Sequence, residues 1–169
     1  MTIRLPEGTP PLTTFYLYLT NSCNLACRHC WITPDSSEHS LDSSGCMDLK
    51  LLNTAIEEAR ELGLRTLKFT GGEPMLHPQF LDVIELAKSY ELGIVVESNG
   101  TLVTRKIATE LKNACGDTFV SISLDGSTED LNNNLRNKPE AFNQALRGVQ
   151  FLVEAGLNPQ IIMSVHRGN

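Results

Sequence analysis

A short junction recurs three times along the chain and constrains its fold more than any other feature. It reads ELGL at 61–64, ELGI at 91–94 and EAGL at 154–157, and each copy separates a stretch of helical periodicity from a β-rich run. A glycine directly after the last apolar residue of a helix is a common stop signal. Recurrence of one helix-to-strand junction indicates repeated βα units rather than an all-helical fold.

Apolar residues between these junctions alternate between the spacing of a strand and that of a helix. The predicted strands cover 14–20, 64–70, 94–97, 119–124 and 160–165. The predicted helices begin at Asp48, Pro78, Thr104 and Pro139. The helical side chains expected to face the core are Leu52, Ala55, Ile56, Ala59, Leu62, Leu81, Ile84, Ala87, Ile107, Ala108, Leu111, Cys115, Phe142, Ala145, Leu146, Val149 and Leu152. The element order is β(αβ)4.

Strands that alternate with crossover helices predict a parallel α/β sheet, either curled as part of a barrel or open and doubly wound. Ligand sites in both arrangements lie beyond the carboxyl ends of the strands. Four motifs occupy those ends: the cysteine-rich segment 23–30, GGEP at 71–74, ESNG at 97–100 and SLDG at 123–126. We therefore expect four loops to converge on one site.

Three cysteines in the first of these loops are close enough to hold one small inorganic group. Cys23, Cys27 and Cys30 are separated by three and then two residues. Three thiolates can hold three corners of a four-iron, four-sulfur cluster, which usually takes four cysteines, so one iron would remain open. The spacing therefore predicts an iron–sulfur site.

A zinc site is the main alternative, because His29 could complete a Cys3His set with the same cysteines. Structural zinc usually draws paired ligands from two separated loops, and Cys46 and Cys115 are isolated in the sequence. A disulfide framework is not favoured by five cysteines in 169 residues. A zinc-stabilised binding module stays open as a second function.

Composition sets limits on the partners of the chain. With 169 residues and 41% hydrophobic residues the chain is long enough for one domain with a real core. A formal charge of −6 without a basic cluster predicts no nucleic-acid partner. No apolar run approaches the ~20 residues of a membrane helix, so no membrane partner is expected, and the reduced thiols suggest the cytoplasm.

The four motifs, in this order, resemble those of the radical S-adenosylmethionine (radical SAM) enzymes, whose cluster loop reads CxxxCxxC. The resemblance implies an α/β partial (βα) barrel with about five parallel strands in this chain. It also implies two cofactors, a 4Fe–4S cluster and S-adenosylmethionine. Cys23, Cys27 and Cys30 would be the metal ligands, and the cofactor's amine and carboxylate would chelate the open iron.

The same resemblance implies a set of cofactor-binding residues: His29, Gly71, Gly72, Glu73, Ser98, Asn99, Ser123 and Arg136. The 71–73 backbone would hold the methionine amine, where glycine lets a backbone approach closely. Residues 98–99 would reach the ribose hydroxyls, and Ser123 with Arg136 would bind the ribose or carboxylate. His29 would lie along the adenine. Trp31 would pack beside the cluster or lie in the core.

The implied reaction is that of an oxidoreductase: reductive cleavage of S-adenosylmethionine to a 5′-deoxyadenosyl radical, which abstracts a substrate hydrogen. Residues 28–31 together with GGEP and SLDG are most similar to the peptide-maturase branch with a SPASM extension. A peptide or small-molecule substrate and a reductant such as flavodoxin or ferredoxin are therefore the expected partners, in peptide or cofactor maturation.

Domain organisation is expected to be simple. Residues 1–12 read as an extended leader, 13–169 as the radical SAM core, and the serine-rich segment 36–45 as a surface connection. The sixth strand, the SPASM extension and a GxIxGxxE-type pattern in the fifth strand are missing from this sequence. We therefore expect the chain to be unable to perform the full reaction alone, with a degenerate domain that acts as a binding or assembly partner as an alternative.

Overall fold

A computed structural model describes residues 6–32, 45–114 and 117–169 of the chain. The first five residues of the predicted leader, most of the predicted 36–45 connection, and Cys115 with the predicted stop Gly116 lie outside the described residues. The predictions made for them are therefore not tested.

Five parallel strands form one sheet, as predicted. They are β1 (Thr14–Thr20), β2 (Thr66–Gly71), β3 (Gly93–Ser98), β4 (Thr118–Ser123) and β5 (Gln160–Ile162). The prediction of β5 over 160–165 was wrong at its end. The last ladder bond runs from Leu124 N to Ile162 O at 2.9 Å, and two residues later Ser164 N donates to the Asp125 side chain instead of a strand.

The helices are α1 (Leu49–Glu61), α2 (Phe80–Ser89), α3 (Arg105–Asn113), α4 (Glu129–Arg136) and α5 (Ala141–Glu154). Helix α1 follows Asp48, where the helical pattern was predicted to start, and Asp48 caps it because its Oδ1 accepts from Leu51 N at 2.8 Å. Thr104 caps α3 in the same way, as predicted. The predicted starts at Pro78 and Pro139 were each two residues early. A short 3-10 turn, Pro74–Leu76, precedes α2.

Helix α4 was not predicted, and it adds a second helix to the last crossover of the β(αβ)4 order. The segment is rich in asparagine at 132–134, which lowers helix propensity. Its local signals are nevertheless ordinary. Thr128 caps it through Leu131 N, Glu129 and Asp130 occupy the first turn, and Arg136 lies in the last turn.

Strand order in the sheet follows the order in the chain, β1 to β5. Right-handed crossovers then place the helices on one face, as in a barrel, whereas a doubly wound sheet reverses its order. The strand side chains on this covered face are buried: Leu17, Leu19, Leu67, Phe69, Ile94, Val96, Val120 and Ile122. The predicted partial barrel is thus confirmed over the open alternative.

The opposite, concave face of the sheet is partly exposed in the described part of the chain. Tyr16 is 67% exposed, and Tyr18 and Phe119 are also exposed. Two apolar residues were misplaced by the sequence analysis. Leu146 lies on the solvent side of α5 rather than in the core, and Trp31 is 81% exposed, so it is not a core tryptophan. A 3.6-residue stripe is wide enough to include positions at its edge, which explains the error for Leu146.

Candidate functional site

A cavity of about 310 Å³ lies at the carboxyl ends of the strands, where the motif loops were expected to converge. Every sequence-predicted site residue except Glu73 lines it: Cys23, Cys27, Cys30, His29, Gly71, Gly72, Ser98, Asn99, Ser123 and Arg136. Trp31, Thr70, Glu97, Asp125 and Ser164 also contribute to its wall. The convergence follows from the parallel sheet, which brings all the strand ends to one edge.

The three thiols are half-buried and free of disulfides. Burial, with smaller contributions from the neighbouring Glu73 and Cys27, raises the pKa of Cys23 to about 11. Burial also raises the pKa of Cys27, although the Arg136 guanidinium opposes this shift. The three thiols would repel one another as thiolates, so their ionisation requires a strongly cationic group among them.

The donor set fits an iron–sulfur cluster better than a single zinc ion. Among residues 6–32, 45–114 and 117–169, no three His, Cys, Asp or Glu side chains converge closely enough to hold one ion. Three thiols that line one cavity without converging suit a group of several atoms. His29, the fourth ligand of the zinc alternative, places Nε2 3.5 Å from Asp125 Oδ2 instead.

The last turn of α4 anchors the end of the cysteine loop. Arg28 N donates to Leu135 O at 2.9 Å, and Arg136 Nη1 lies 3.8 Å from Cys27 Sγ. Arg136 Nη2 pairs with Asp125 Oδ2 at 2.5 Å. The Nε of Arg136 is buried and has no hydrogen-bond partner among the described residues. The Arg136 side chain also lines the cavity, and a guanidinium there suits an anionic ligand group such as a carboxylate.

Asp125, in the SLDG motif, was not predicted as a site residue, but it connects three parts of the structure. Its side chain is fully buried, and Oδ1 accepts from Ser164 N at 2.8 Å. Its backbone N–H donates to Asn132 Oδ1 at 3.0 Å, and its carbonyl accepts from Asn169 Nδ2 at 2.6 Å. Burial lowers the pKa of His29, so the ring beside Asp125 is neutral at pH 7.

The two glycines of the GGEP motif allow a close approach between backbones. A Cβ on Gly72 would lie 2.0 Å from Ser22 O, and one on Gly71 would lie 2.7 Å from Thr20 O. Gly71 also has a φ of +125°, which favours glycine. Gly72 N donates to Thr20 O, and Glu73 N donates to Ser22 O. The glycines therefore seat this loop on the segment that leads into Cys23.

The Glu73 side chain lies beneath the cavity rather than in its wall. Oε1 accepts from Ser98 Oγ at 2.8 Å and from Met75 N at 3.2 Å, while Oε2 accepts from Asn99 N at 2.8 Å. Burial raises the pKa of this carboxyl group to about 7, although these hydrogen bonds oppose the shift. Ser98 Oγ in turn accepts from Gly100 N, so its hydroxyl proton is already committed to Glu73.

Fold and site together define a parallel α/β partial-barrel protein with a three-thiol centre at the strand ends. The chain belongs to the radical SAM superfamily, which matches residues 17–169. The cofactors of that family are a 4Fe–4S cluster and S-adenosylmethionine, so the expected cofactor pair is confirmed at the level of the family.

The related sequences include enzymes of two kinds. AdoMet-dependent heme synthase of Oleidesulfovibrio alaskensis is 34% identical over 165 residues, which cover 98% of this chain and 41% of that protein. Mycofactocin maturase MftC of Mycobacterium tuberculosis is 34% identical over 143 residues, which cover 82% of this chain and 34% of that protein. This chain spans less than half the length of these curated relatives.

A solved structure shares the fold. Native anSMEcpe with bound AdoMet superposes with a TM-score of 0.73 at 22% identity, covering 89% of this chain and 43% of that one.

Within the described ranges, the helices are all too short or too polar to cross a membrane.

Proposed function

We propose that this chain is a radical SAM enzyme core that holds a 4Fe–4S cluster through Cys23, Cys27 and Cys30 and binds S-adenosylmethionine beside it. One observation carries the proposal: the three thiols line the same cavity as the strand-end loops that the family uses for the cofactor. When bound, this cofactor pair supplies reductive cleavage of the sulfonium and the radical that abstracts a substrate hydrogen.

The side chains of the cavity have separate tasks in this proposal. Cys23, Cys27 and Cys30 lose their protons on ligation, and the raised pKa values of the first two make that loss dependent on the metal. Arg136 offsets part of the resulting negative charge at Cys27, and its guanidinium, which lines the cavity, binds the cofactor carboxylate in this proposal. Ser123 lies in the same wall.

The β3 end is proposed to meet the ribose. The Ser98 hydroxyl donates its proton to Glu73 and accepts one hydrogen bond, from Gly100 N. Its remaining lone pair can accept a hydrogen bond from a ribose hydroxyl, but the group cannot donate to one. His29 lines the cavity and is partly exposed, and its ring is proposed to lie against the adenine. The Glu73 carboxylate acts from below by holding Ser98 and Asn99.

The concave face of the sheet is the proposed substrate side. Glu97 lines the cavity and pairs with Lys68 Nζ at 2.6 Å, and that ammonium lies 4.9 Å from the centre of the Tyr16 ring. A face with aromatic rings and a paired charge suits a peptide or small-molecule substrate of mixed polarity. We propose peptide or cofactor maturation as its role, in the cytoplasm, with flavodoxin or ferredoxin as the reductant and residues 13–169 as the core.

Anaerobic reconstitution followed by turnover tests the proposal. We expect about four iron and four sulfide per chain, and 5′-deoxyadenosine after addition of S-adenosylmethionine and a reductant. Precursor peptides and porphyrins are then offered separately, and modified product is measured by mass spectrometry. Cys30→Ala is the control and yields no 5′-deoxyadenosine. One zinc per chain in the protein as purified would instead support the binding module.

A further inference from the structure

Asn24 lies inside the cysteine loop, and its side-chain amide reaches across to the loop that follows β3. Its Oδ1 accepts from Asn99 Nδ2 at 2.9 Å, and its Nδ2 donates to Thr101 Oγ1 at 2.8 Å. These hydrogen bonds join residues that are 75 and 77 positions apart in the sequence. Two hydrogen bonds of the Asn24 side chain thus connect the beginning of the cysteine loop to the loop that follows β3.

The three side chains form a closed ring of hydrogen bonds. Thr101 Oγ1 completes it by donating to Asn99 Oδ1 at 2.7 Å, and Thr101 N donates to the same oxygen at 2.9 Å. Each oxygen of the ring accepts and each amide nitrogen donates. Exchanging the oxygen and nitrogen of Asn24 would place two donors face to face at Asn99. The ring therefore holds Asn24 in one orientation.

The ring connects the first thiol to the proposed ribose-binding residues 98–99, because Asn99 belongs to both. Asn99 Nδ2, which donates to Asn24, is also 3.9 Å from Cys23 Sγ. The backbone N–H of Asn99 is held by Glu73 from below. The opposite end of the cysteine loop is attached separately, through Arg28 N and Leu135 O. The loop is therefore attached at both ends by groups that are not themselves thiols.

We propose that Asn24 is a positioning residue that holds the Cys23 thiol in register with Asn99, so that the cluster loop and the cofactor loop move as one unit. The ring consists of protein side chains alone, so its hydrogen bonds do not require a bound group. The inference rests on the proposed function for its consequence, the coupling of two cofactor sites, but its geometry does not depend on that function.

Labelling of thiols in the metal-free full chain provides the test. Iodoacetamide reaches a half-buried thiol faster when its loop opens more readily. In Asn24→Ala we expect the rate at Cys23 to rise about fivefold, which corresponds to ~1 kcal/mol for a lost hydrogen bond. Cys46 lies outside the loop and serves as the reference thiol in the same molecule. Peptide mass spectrometry at one pH measures both rates.

Two further variants separate a positioning role from general loosening. Asn53→Ala is the matched control, since the Asn53 amide also makes two side-chain hydrogen bonds, to Glu57 and Tyr90, on α1 away from the cavity. It should leave the rate at Cys23 unchanged. Thr101→Val removes the partner of Asn24 Nδ2, so its effect should not add to that of Asn24→Ala.

The outcomes distinguish the inference from the proposed function. Equal rates at Cys23 in Asn24→Ala and Asn53→Ala, or an equal rise at Cys46, would overturn the positioning role, as would additive effects with Thr101→Val. The dissociation constant of S-adenosylmethionine for the reconstituted protein is measured in parallel, and we expect Asn24→Ala to raise it about fivefold. A parent that shows the labelling pattern but binds no S-adenosylmethionine would contradict the proposed function alone.

Discussion

Arg136 Nη1 lies 3.8 Å from Cys27 Sγ, although the two residues are 109 positions apart in the sequence. The other terminal nitrogen of the same guanidinium pairs with the fully buried carboxylate of Asp125. One cation therefore serves both a thiol of the cavity wall and a carboxylate of the interior. Removing it would leave the buried carboxylate without its guanidinium counter-charge.

We expect Arg136→Met to lower the free energy of unfolding of the metal-free protein by about 3–5 kcal/mol, because Asp125 then loses its counter-charge. Asp125→Asn in the same background removes the unpaired charge and should recover part of the loss. Urea unfolding at pH 7, followed by circular dichroism, measures all three proteins.

An exposed ion pair on the same molecule is the control for that experiment. Arg105 pairs with Glu154 on the surface, where its side chain is 68% exposed. Arg105→Met should therefore cost less than ~1 kcal/mol. If both arginine variants lost the same small amount, the buried pair would not be the determinant of stability that we infer.

Ligation of the cluster can be tested one thiol at a time. Cys23→Ala, Cys27→Ala and Cys30→Ala should each abolish iron loading after anaerobic reconstitution, because every ligand is needed at a site with three protein donors. Cys46→Ala should load normally, since Cys46 Sγ contacts Thr20 Oγ1 outside the cavity wall. The same is expected of Cys115→Ala. Retention of a full complement of iron in any of the first three variants would contradict the assignment.

Gly72→Ala should affect both stability and metal content. The added Cβ would meet Ser22 O at 2.0 Å, so the backbone beside Cys23 must move, at a cost of about 1–3 kcal/mol. Gly45→Ala is the matched control, because its Cβ would lie 3.7 Å from the Asn21 side chain, an ordinary contact. Iron content and urea midpoints of both variants are compared. Parental values for Gly72→Ala would show that the loop can yield without disturbing the cysteine segment.

Glu73 should make stability depend on pH. Its pKa is about 7 in the folded protein, against an ordinary value of 4.5. Between pH 4.5 and 7 the folded protein therefore keeps a proton on Glu73 that the unfolded chain has lost. The contribution of Glu73 protonation to the free energy of unfolding is fully present below pH 4.5. About 3 kcal/mol of it is lost as the pH rises to 7. In Glu73→Gln a neutral amide replaces the carboxyl group at every pH.

Urea unfolding of the metal-free parent and of Glu73→Gln at pH 5.0 and 7.5 measures this effect. The free energy of unfolding of the parent should fall relative to that of the variant over this interval. Comparing the two proteins cancels the contributions of the other titrating groups. A constant difference between the two proteins would mean that Glu73 is already ionised in the fold at pH 5.0.

The sequence predicts the sheet and the location of the site well, for a physical reason. Alternating apolar residues are local signals, and β1 was predicted with its observed bounds. Parallel strand ends share one edge, so the motifs at those ends had to meet. Helix α4 could have been found from the Thr128 cap and the acidic first turn, which the asparagines at 132–134 obscured.

The partners of the site residues could not be predicted. Asn24 with Thr101 joins the loops of two different crossovers, and Arg136 with Asp125 joins the end of α4 to the loop after β4. Both pairs depend on how separate segments of the chain lie against one another. Neither the spacing nor the composition of a loop encodes that relation. The close approach of Gly72 was expected from the residue type, but it occurs toward Ser22, a contact that only the folded backbones reveal.

The two attachments of the cysteine loop also differ in when they become available on the ribosome. Thr101 is synthesised before Leu135 and Arg136, and Cys27 precedes Arg136 by 109 residues. At a synthesis rate of roughly 5–20 residues per second, Cys27 is made roughly 5–20 s before Arg136. During that interval the start of the loop can already dock through Asn24 while its end stays free. The partners of the Asn24 attachment are therefore available earlier during synthesis than those of the α4 attachment.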